Sequence, residues 1–500
     1  MEQKLRELKE RLLEIDDLKR AYAVLEWDQS TYLPSGGAES RGRHLATLAR
    51  LAQEKFVEPA IGKLLDALQP YADSLPYDSD EASLVRLTRR EYERAIRIPP
   101  AFVGELSNHN AQTYQVWTEA RPANDFARLR PLLEKTLDYS RRLADFFPGY
   151  EHIIDPLVDA EDYGMKASTL KALFADLRKE LVPIVQAITS QPPADDSCLR
   201  RHYPHAAQLA ICQEIGAQVG YDFQRGRLDL THHPFETSFG VGDVRITVRV
   251  KEEQLLECLY GVLHEGGHGM YEQGVHPNLE GTPLGAGSSA GVHESQSRLW
   301  ENVVGRSREF CEYAYPRLQA YFPMQLGALP LEKFYKGINK VEPSLIRVEA
   351  DEATYNLHIM LRLELEIALV EGSLEVKDLP EAWNARMQDY LGLTPPNDAL
   401  GVMQDIHWSS GYFGYFSTYA LGNLIASQLW ERIVADIPDL TDQIRRGEFA
   451  ALLGWLREKV HRHGRKFEAQ EMVQRITGSK IDPAPYLRYL QTKYSDIYGF

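Results

Sequence analysis

Residues 255–271 read Leu255-Leu-Glu-Cys-Leu-Tyr-Gly-Val-Leu-His264-Glu265-Gly-Gly-His268-Gly-Met-Tyr271. Leu256, Leu259 and Leu263 fall on one helical stripe that leads into His264. His264 and His268 are four residues apart, so on a helix their rings project from the same face. Two imidazoles at that separation can share one zinc ion. Glu265 follows the first of them at the edge of that face. It is placed to take a proton from a metal-activated water without being a ligand itself. With 15 histidines in 500 residues, His-Glu-x-x-His arises by chance in roughly 4 of 100 such chains. Gly266, Gly267 and Gly269 argue against a solvated surface helix, because each glycine costs a helix about 0.8–1 kcal/mol relative to alanine. Glycine is tolerated where another backbone packs close, which suits a buried helix.

A catalytic zinc needs a third protein ligand and one open position. Some 25 residues downstream, Ser288-Ser-Ala-Gly-Val-His293-Glu294-Ser-Gln-Ser297 resembles a helix start, with Leu299, Trp300, Val303 and Val304 as its buried face. Glu294 is the best third ligand. His293 competes for the role, but adjacent side chains on a helix point in different directions, which leaves it hydrogen bonding or packing. Cys258 lies six residues before His264 and faces elsewhere.

Further out, helical periodicity dominates. Leu5, Leu8, Leu12, Leu13, Ile15, Leu18 and Leu25 form one stripe over residues 3–26, Pro34-Ser-Gly-Gly37 interrupts, and a second helix runs from about Ala38 to Glu54. Similar runs recur near 83–97, 127–147, 168–189, 204–219, 251–271, 294–315, 353–371, 418–436 and 449–463. One segment has a period of two: Val244, Ile246, Val248 and Val250 alternate with Arg245, Thr247 and Arg249. Gly240 and Gly242 make a turn before this strand, and Thr237-Ser-Phe239 is its expected partner. The expectation is a mainly α protein with one small β-sheet. It forms a single helical domain over residues 1–500, with residues 1–75 as an N-terminal helical hairpin region.

Composition narrows the function classes. Hydrophobic residues are 44% and charged residues 26% of the chain, which reads as globular. A formal net charge of −16 argues against nucleic acid as a partner. The start Met1-Glu-Gln-Lys-Leu-Arg6 has no apolar run behind it, so no signal peptide is expected, and no stretch suits a membrane span. Cys198, Cys212, Cys258 and Cys311 form no Cys-x-x-Cys pair, which suggests free buried thiols in a reducing cytoplasm.

Several separate blocks together carry a family resemblance. They are Leu25-Glu-Trp27-Asp28-Gln29-Ser-Thr31 with Gly36-Gly37, His233-Pro-Phe235, Asp243-Val-Arg245-Ile-Thr247, His264-Glu-Gly-Gly-His268, His293-Glu-Ser-Gln296, Ile346-Arg347-Val-Glu-Ala-Asp351 and Gly401-Val-Met-Gln404-Asp405-Ile-His407-Trp408. In these the chain resembles the thermostable carboxypeptidase Taq family of metallocarboxypeptidases, over nearly its whole length. The resemblance implies a helical, neurolysin-like fold split by a long active-site groove. It also implies broad-specificity removal of C-terminal residues from peptides, zinc or in some members cobalt, and a homodimer. It assigns His264, His268 and Glu294 as metal ligands. There is one departure from the related converting-type enzymes, whose ligand glutamate is followed four residues later by an aspartate that supports a metal histidine. Here that position is Arg298.

An exopeptidase must recognise the terminal carboxylate of its substrate, and a guanidinium can hold it bidentately. Arg347 is the candidate, weighed against a pair with Asp351 on one helix turn. Arg245, on the strand, either binds substrate or pairs with a nearby carboxylate, and the structural role is favoured. An oxyanion donor is expected within His407–Tyr419, with Tyr419 first and His407 second, and Tyr415 is expected in aromatic packing. Basic residues from Arg457 to Lys466 read as a solvated helix face. Two other functions are compatible with the motif. A neurolysin-like endo-oligopeptidase would need no carboxylate clamp, and a non-enzymatic helical scaffold with a structural zinc would not need Glu265.

Overall fold

A computed structural model describes all 500 residues. The N-terminal leucine stripe folds as a helix over Glu2–Thr31 and buries Leu8, Leu12 and Ile15. After the Pro34 turn the chain returns against it as Ala38–Phe56. Pro59 then opens a further helix, Pro59–Ala72, so three helices occupy this region. Together with Asp80–Arg97 they bury a core of their own, completed by Val275, Leu279 and Leu284 from later in the chain. The main core extends from Ala120 to Ile497.

Helices Phe126–Asp145, Ala167–Thr189, His205–Val219, Tyr355–Glu371 and Ser417–Asp436 match the periodic runs within a few residues. The run expected over 294–315 is in three pieces. An α-helix, Ala290–Arg298, passes into a π-helical segment, Leu299–Val304, and Arg308–Tyr321 begins anew after Gly305. The run near 449–463 ends as an α-helix at Lys459, and His461 is fully buried rather than on a solvated face. No helix is long and apolar enough to cross a membrane.

The sheet has three strands in the order β1-β3-β2. The alternating segment is the central strand β3, Val244–Val248. It runs antiparallel to β2, Glu236–Ser238, and parallel to β1, Leu228–Leu230. Val244, Ile246 and Val248 are at zero exposure, but so is Thr247, whose hydroxyl bonds the backbone of Phe235, so only Arg245 breaks the burial of the strand. The strand forms the floor on which the helix carrying His264, Leu255–Gly274, is packed. His205–Val219 and Ala290–Arg298 cover other faces of that helix, so it is buried on several sides.

Candidate active site

Two glycines set the distances between the helices of the site. A methyl group on Gly267 would meet the Gln296 carbonyl oxygen at 2.6 Å and Ser297 Cα at 2.7 Å. The motif helix and the helix bearing Glu294 therefore touch backbone to backbone, as the glycine run suggests. The other glycine is Gly422, on Ser417–Asp436, where a methyl would meet Glu294 Cγ at 2.5 Å. The start of the Glu294 helix is fixed twice. Ser289 Oγ accepts from Val292 N at 3.2 Å, and buried Asp162 Oδ1 accepts from Gly291 N at 3.0 Å.

The result is a convergent donor set. His264, His268 and Glu294 each offer one atom, and these atoms lie within 4.8 Å of one another. His264 Nε2 is 3.7 Å and His268 Nε2 3.5 Å from Glu294 Oε2. The opposite ring nitrogens are spoken for. His264 Nδ1 donates to Glu301 Oε2 at 2.8 Å. His268 Nδ1 hydrogen-bonds His293 Nδ1, and His293 Nε2 donates to Glu272 Oε1 at 3.0 Å. In the neutral rings this pattern puts the protons on Nδ1 of His264 and His268 and leaves a lone pair on each Nε2. Two imidazole lone pairs and a carboxylate oxygen converging on one point form a donor set suited to a divalent transition metal. His293 stands behind His268, on the side away from Glu294.

Arg298, the residue that departs from the converting-type pattern, fixes both glutamates. Its Nε donates to Glu294 Oε1 at 2.7 Å and its Nη1 to Glu301 Oε2 at 3.1 Å. Burial opposes ionisation of Glu294, but Arg298 and His264 overcome it and hold that carboxyl well below its ordinary range. Burial would likewise suppress the charge of His264, yet Glu294 and Glu301 raise it to about 9. His268 is pulled down to about 3 by burial. Glu265 contributes no atom to the donor set. Burial pushes its carboxyl up to about 7 against the pull of His264, close to where a general base is most effective.

A second cluster adjoins the first through Tyr355. Its ring lies 4.5 Å from the Arg298 guanidinium, and its hydroxyl accepts from Arg347 Nη1 at 2.9 Å. Arg347 is buried, and its Nε donates to Asp405 Oδ1 at 3.0 Å. The expected pair with Asp351 does not form. Residues 347–349 make a 3₁₀ turn rather than an α-helical one, and Asp351 instead accepts from the backbone of Ala353 and Thr354. Arg362, at zero exposure, donates to Asp405 Oδ2 at 2.7 Å.

Tyr419 and His407 meet on the other side of Arg347. The phenol oxygen is 3.1 Å from His407 Nε2, and the Tyr419 ring centre is 4.9 Å from the Arg347 guanidinium. Burial pulls His407 down to about 4, which keeps it neutral. Tyr415 packs against Tyr419 and Tyr412. Arg245 is held by Asp243 through two bonds of 2.8 Å and lies over Trp27 at 4.3 Å, in line with the structural role. Sequence reasoning missed Glu301, Glu272, Tyr355 and Arg362. It also missed His461, whose Nε2 bonds Gln296 Oε1 at 2.9 Å. Glu301 had a signal: it lies seven residues beyond Glu294, two helical turns along the same face. A cavity of about 570 Å³ beside Trp455 and Arg475 includes none of these residues.

The family described as carboxypeptidase Taq (M32) metallopeptidase matches residues 7–494. The chain belongs to this family. It is a metal-dependent carboxypeptidase, with peptides as substrates. It is 43% identical over 489 residues to thermostable carboxypeptidase 1 of Thermus thermophilus, with 95% of each chain covered. Its identity to carboxypeptidase 1 of Bacillus subtilis is 37% over 488 residues, with 97% of each covered. The crystal structure of an M32 carboxypeptidase from Deinococcus radiodurans superposes with a TM-score of 0.97 at 45% identity and covers 100% of both chains. That match bears out the helical metallopeptidase fold for this carboxypeptidase over its entire length.

Proposed function

We propose that His264, His268 and Glu294 hold a zinc ion, with cobalt as the alternative, and that Glu265 is the general base of a broad-specificity carboxypeptidase. The donor set of two imidazoles and one carboxylate supports this reading and leaves a coordination position for water. When bound, the ion supplies Lewis acidity at the scissile carbonyl and a water of lowered pKa. Glu265 takes the proton from the attacking water and passes it to the leaving amine. The Tyr419 hydroxyl, steadied by His407, donates to the developing oxyanion. Arg298 keeps Glu294 ionised and oriented throughout.

Charge imbalance is the observation that carries the exopeptidase reading. Two buried guanidinium groups, Arg347 and Arg362, share the single carboxylate of Asp405. Nearby Glu366 does not balance them, because burial pushes its carboxyl up to about 8. One positive charge is left over, and the terminal carboxylate of a peptide would neutralise it at Arg347. Arg245 is the weaker candidate for this role, since Asp243 pairs with it one to one and leaves no charge over. Peptide products followed by mass spectrometry test the assignment. A free peptide should lose residues one at a time from its C-terminus. Its C-terminal amide should react about 10- to 100-fold more slowly, for a charge-assisted bond of roughly 1.5–3 kcal/mol. Equal rates, with internal fragments appearing first, would instead make the protein an endo-oligopeptidase.

The proposal extends to a homodimer in the cytoplasm, for which the family resemblance and the four free, buried cysteines are the support. It also treats residues 1–500 as one domain, because the N-terminal core shares Val275, Leu279 and Leu284 with the segment that follows the motif helix. A sedimentation measurement tests the dimer directly.

A further inference from the structure

A smaller recess, of about 110 Å³, is lined by Arg90, Glu161, Tyr163, Ser289, Arg465 and Glu468 among others, and the reaction above uses none of them. Most cations around it are paired. Arg465 meets Glu91 at 2.6 Å, Lys466 meets Asp80, and Arg86 donates to Tyr77 O at 2.9 Å. Arg90 is the exception. Its guanidinium lies over the Tyr163 ring at 3.6 Å and makes no hydrogen bond or ion pair. Glu161 and Glu468 are equally without partners, and burial raises both carboxyls, Glu161 to about 7. Half-buried charges of both signs that do not reach one another keep an unmet demand for solvation. A ligand carrying one charge of each sign at short separation would satisfy both.

We propose that this recess binds a free α-amino acid, its carboxylate on Arg90 and its ammonium group on Glu468 and Glu161. The recess, of about 110 Å³, has room for a small amino acid such as alanine or serine. Free amino acids are what a carboxypeptidase releases. The recess also includes Ser289, the residue that caps the helix bearing Glu294, so the bound product would lie against the end of that helix.

Calorimetry on the metal-loaded enzyme, with its active site filled by a peptide hydroxamate, separates this recess from ordinary product binding. Alanine should bind once per chain, whereas N-acetylalanine, ethylamine and inorganic phosphate at the same concentration should not. Arg90→Met should weaken alanine binding at least tenfold while leaving peptide hydrolysis without added amino acid unchanged. The pair Glu161→Gln and Glu468→Gln should do the same, and it carries the test if Arg90→Met proves unstable. Absence of alanine binding to the inhibited enzyme would overturn the proposal. So would binding of N-acetylalanine or phosphate as tight as that of alanine, or undiminished binding in a folded variant.

Discussion

In the proposed metal site, the ring nitrogens that point away from Glu294 matter alongside those that point toward it. Glu301 and His293 fix the tautomers of His264 and His268. Outer partners of this kind typically contribute 10- to 100-fold in metal affinity. Glu301→Ala and His293→Ala should each weaken binding by about that factor in a competitive chelator titration. Glu294→Ala should lose the ion outright, and affinities equal to wild type in the first two would remove Glu301 and His293 from the site. Glu265→Gln should retain the ion by elemental analysis, while turnover falls by about 10²- to 10⁴-fold. Loss of metal in that variant would make Glu265 a ligand. Tyr419→Phe should lower kcat by the equivalent of about 2.7–4 kcal/mol and leave KM much less changed. An unchanged kcat would pass the role to His407. The donor residues were legible in the sequence because a helix turns four-residue spacing into a shared face. The partner of Arg347 was not, because it is Asp405, far along the chain, and a local 3₁₀ turn defeats the nearby alternative Asp351.

At the scale of elements, the site depends on how closely two helices approach. Gly267 has backbone, not a flexible side chain, where its Cβ would go. Gly267→Ala should therefore push the motif helix off the Glu294 helix. Overpacking of this sort costs about 1–3 kcal/mol, and the displacement should also weaken metal binding. A variant with wild-type melting temperature and metal affinity would show that the helices can separate without harm. Long amphipathic helices announced themselves through their period, as in Glu2–Thr31 and Ala167–Thr189. The π-helical turn at Leu299–Val304 did not, because an extra residue per turn leaves almost no trace in a short apolar pattern. Strand β1 was invisible for a simpler reason, since three residues cannot display an alternation.

Across the whole molecule, the proposed ion bridges two helices that belong to one core, so its binding free energy adds to stability. Removing it with a chelator should lower the melting temperature. At free metal one hundred times Kd the loss is about 2.7 kcal/mol, and the melting point should climb as metal is restored. A melting point independent of metal would mean that the ion does not bind the folded chain in preference to the unfolded one. Every residue proposed to touch or steady the ion, from His264 through Glu272, His293, Glu294 and Arg298 to Glu301, lies within one short stretch of chain. Arg347, Asp405, His407 and Tyr419 come later. Chains are made from the N-terminus at about 5–20 residues per second, so the ion-binding set leaves the ribosome seconds before Tyr419 does. Local closure of that stretch is also the faster folding event. A nascent chain thus holds every one of its candidate ligands before it has the groups that clamp and cleave a peptide, and the packing of Gly422 on Glu294 completes the site only when Ser417–Asp436 arrives.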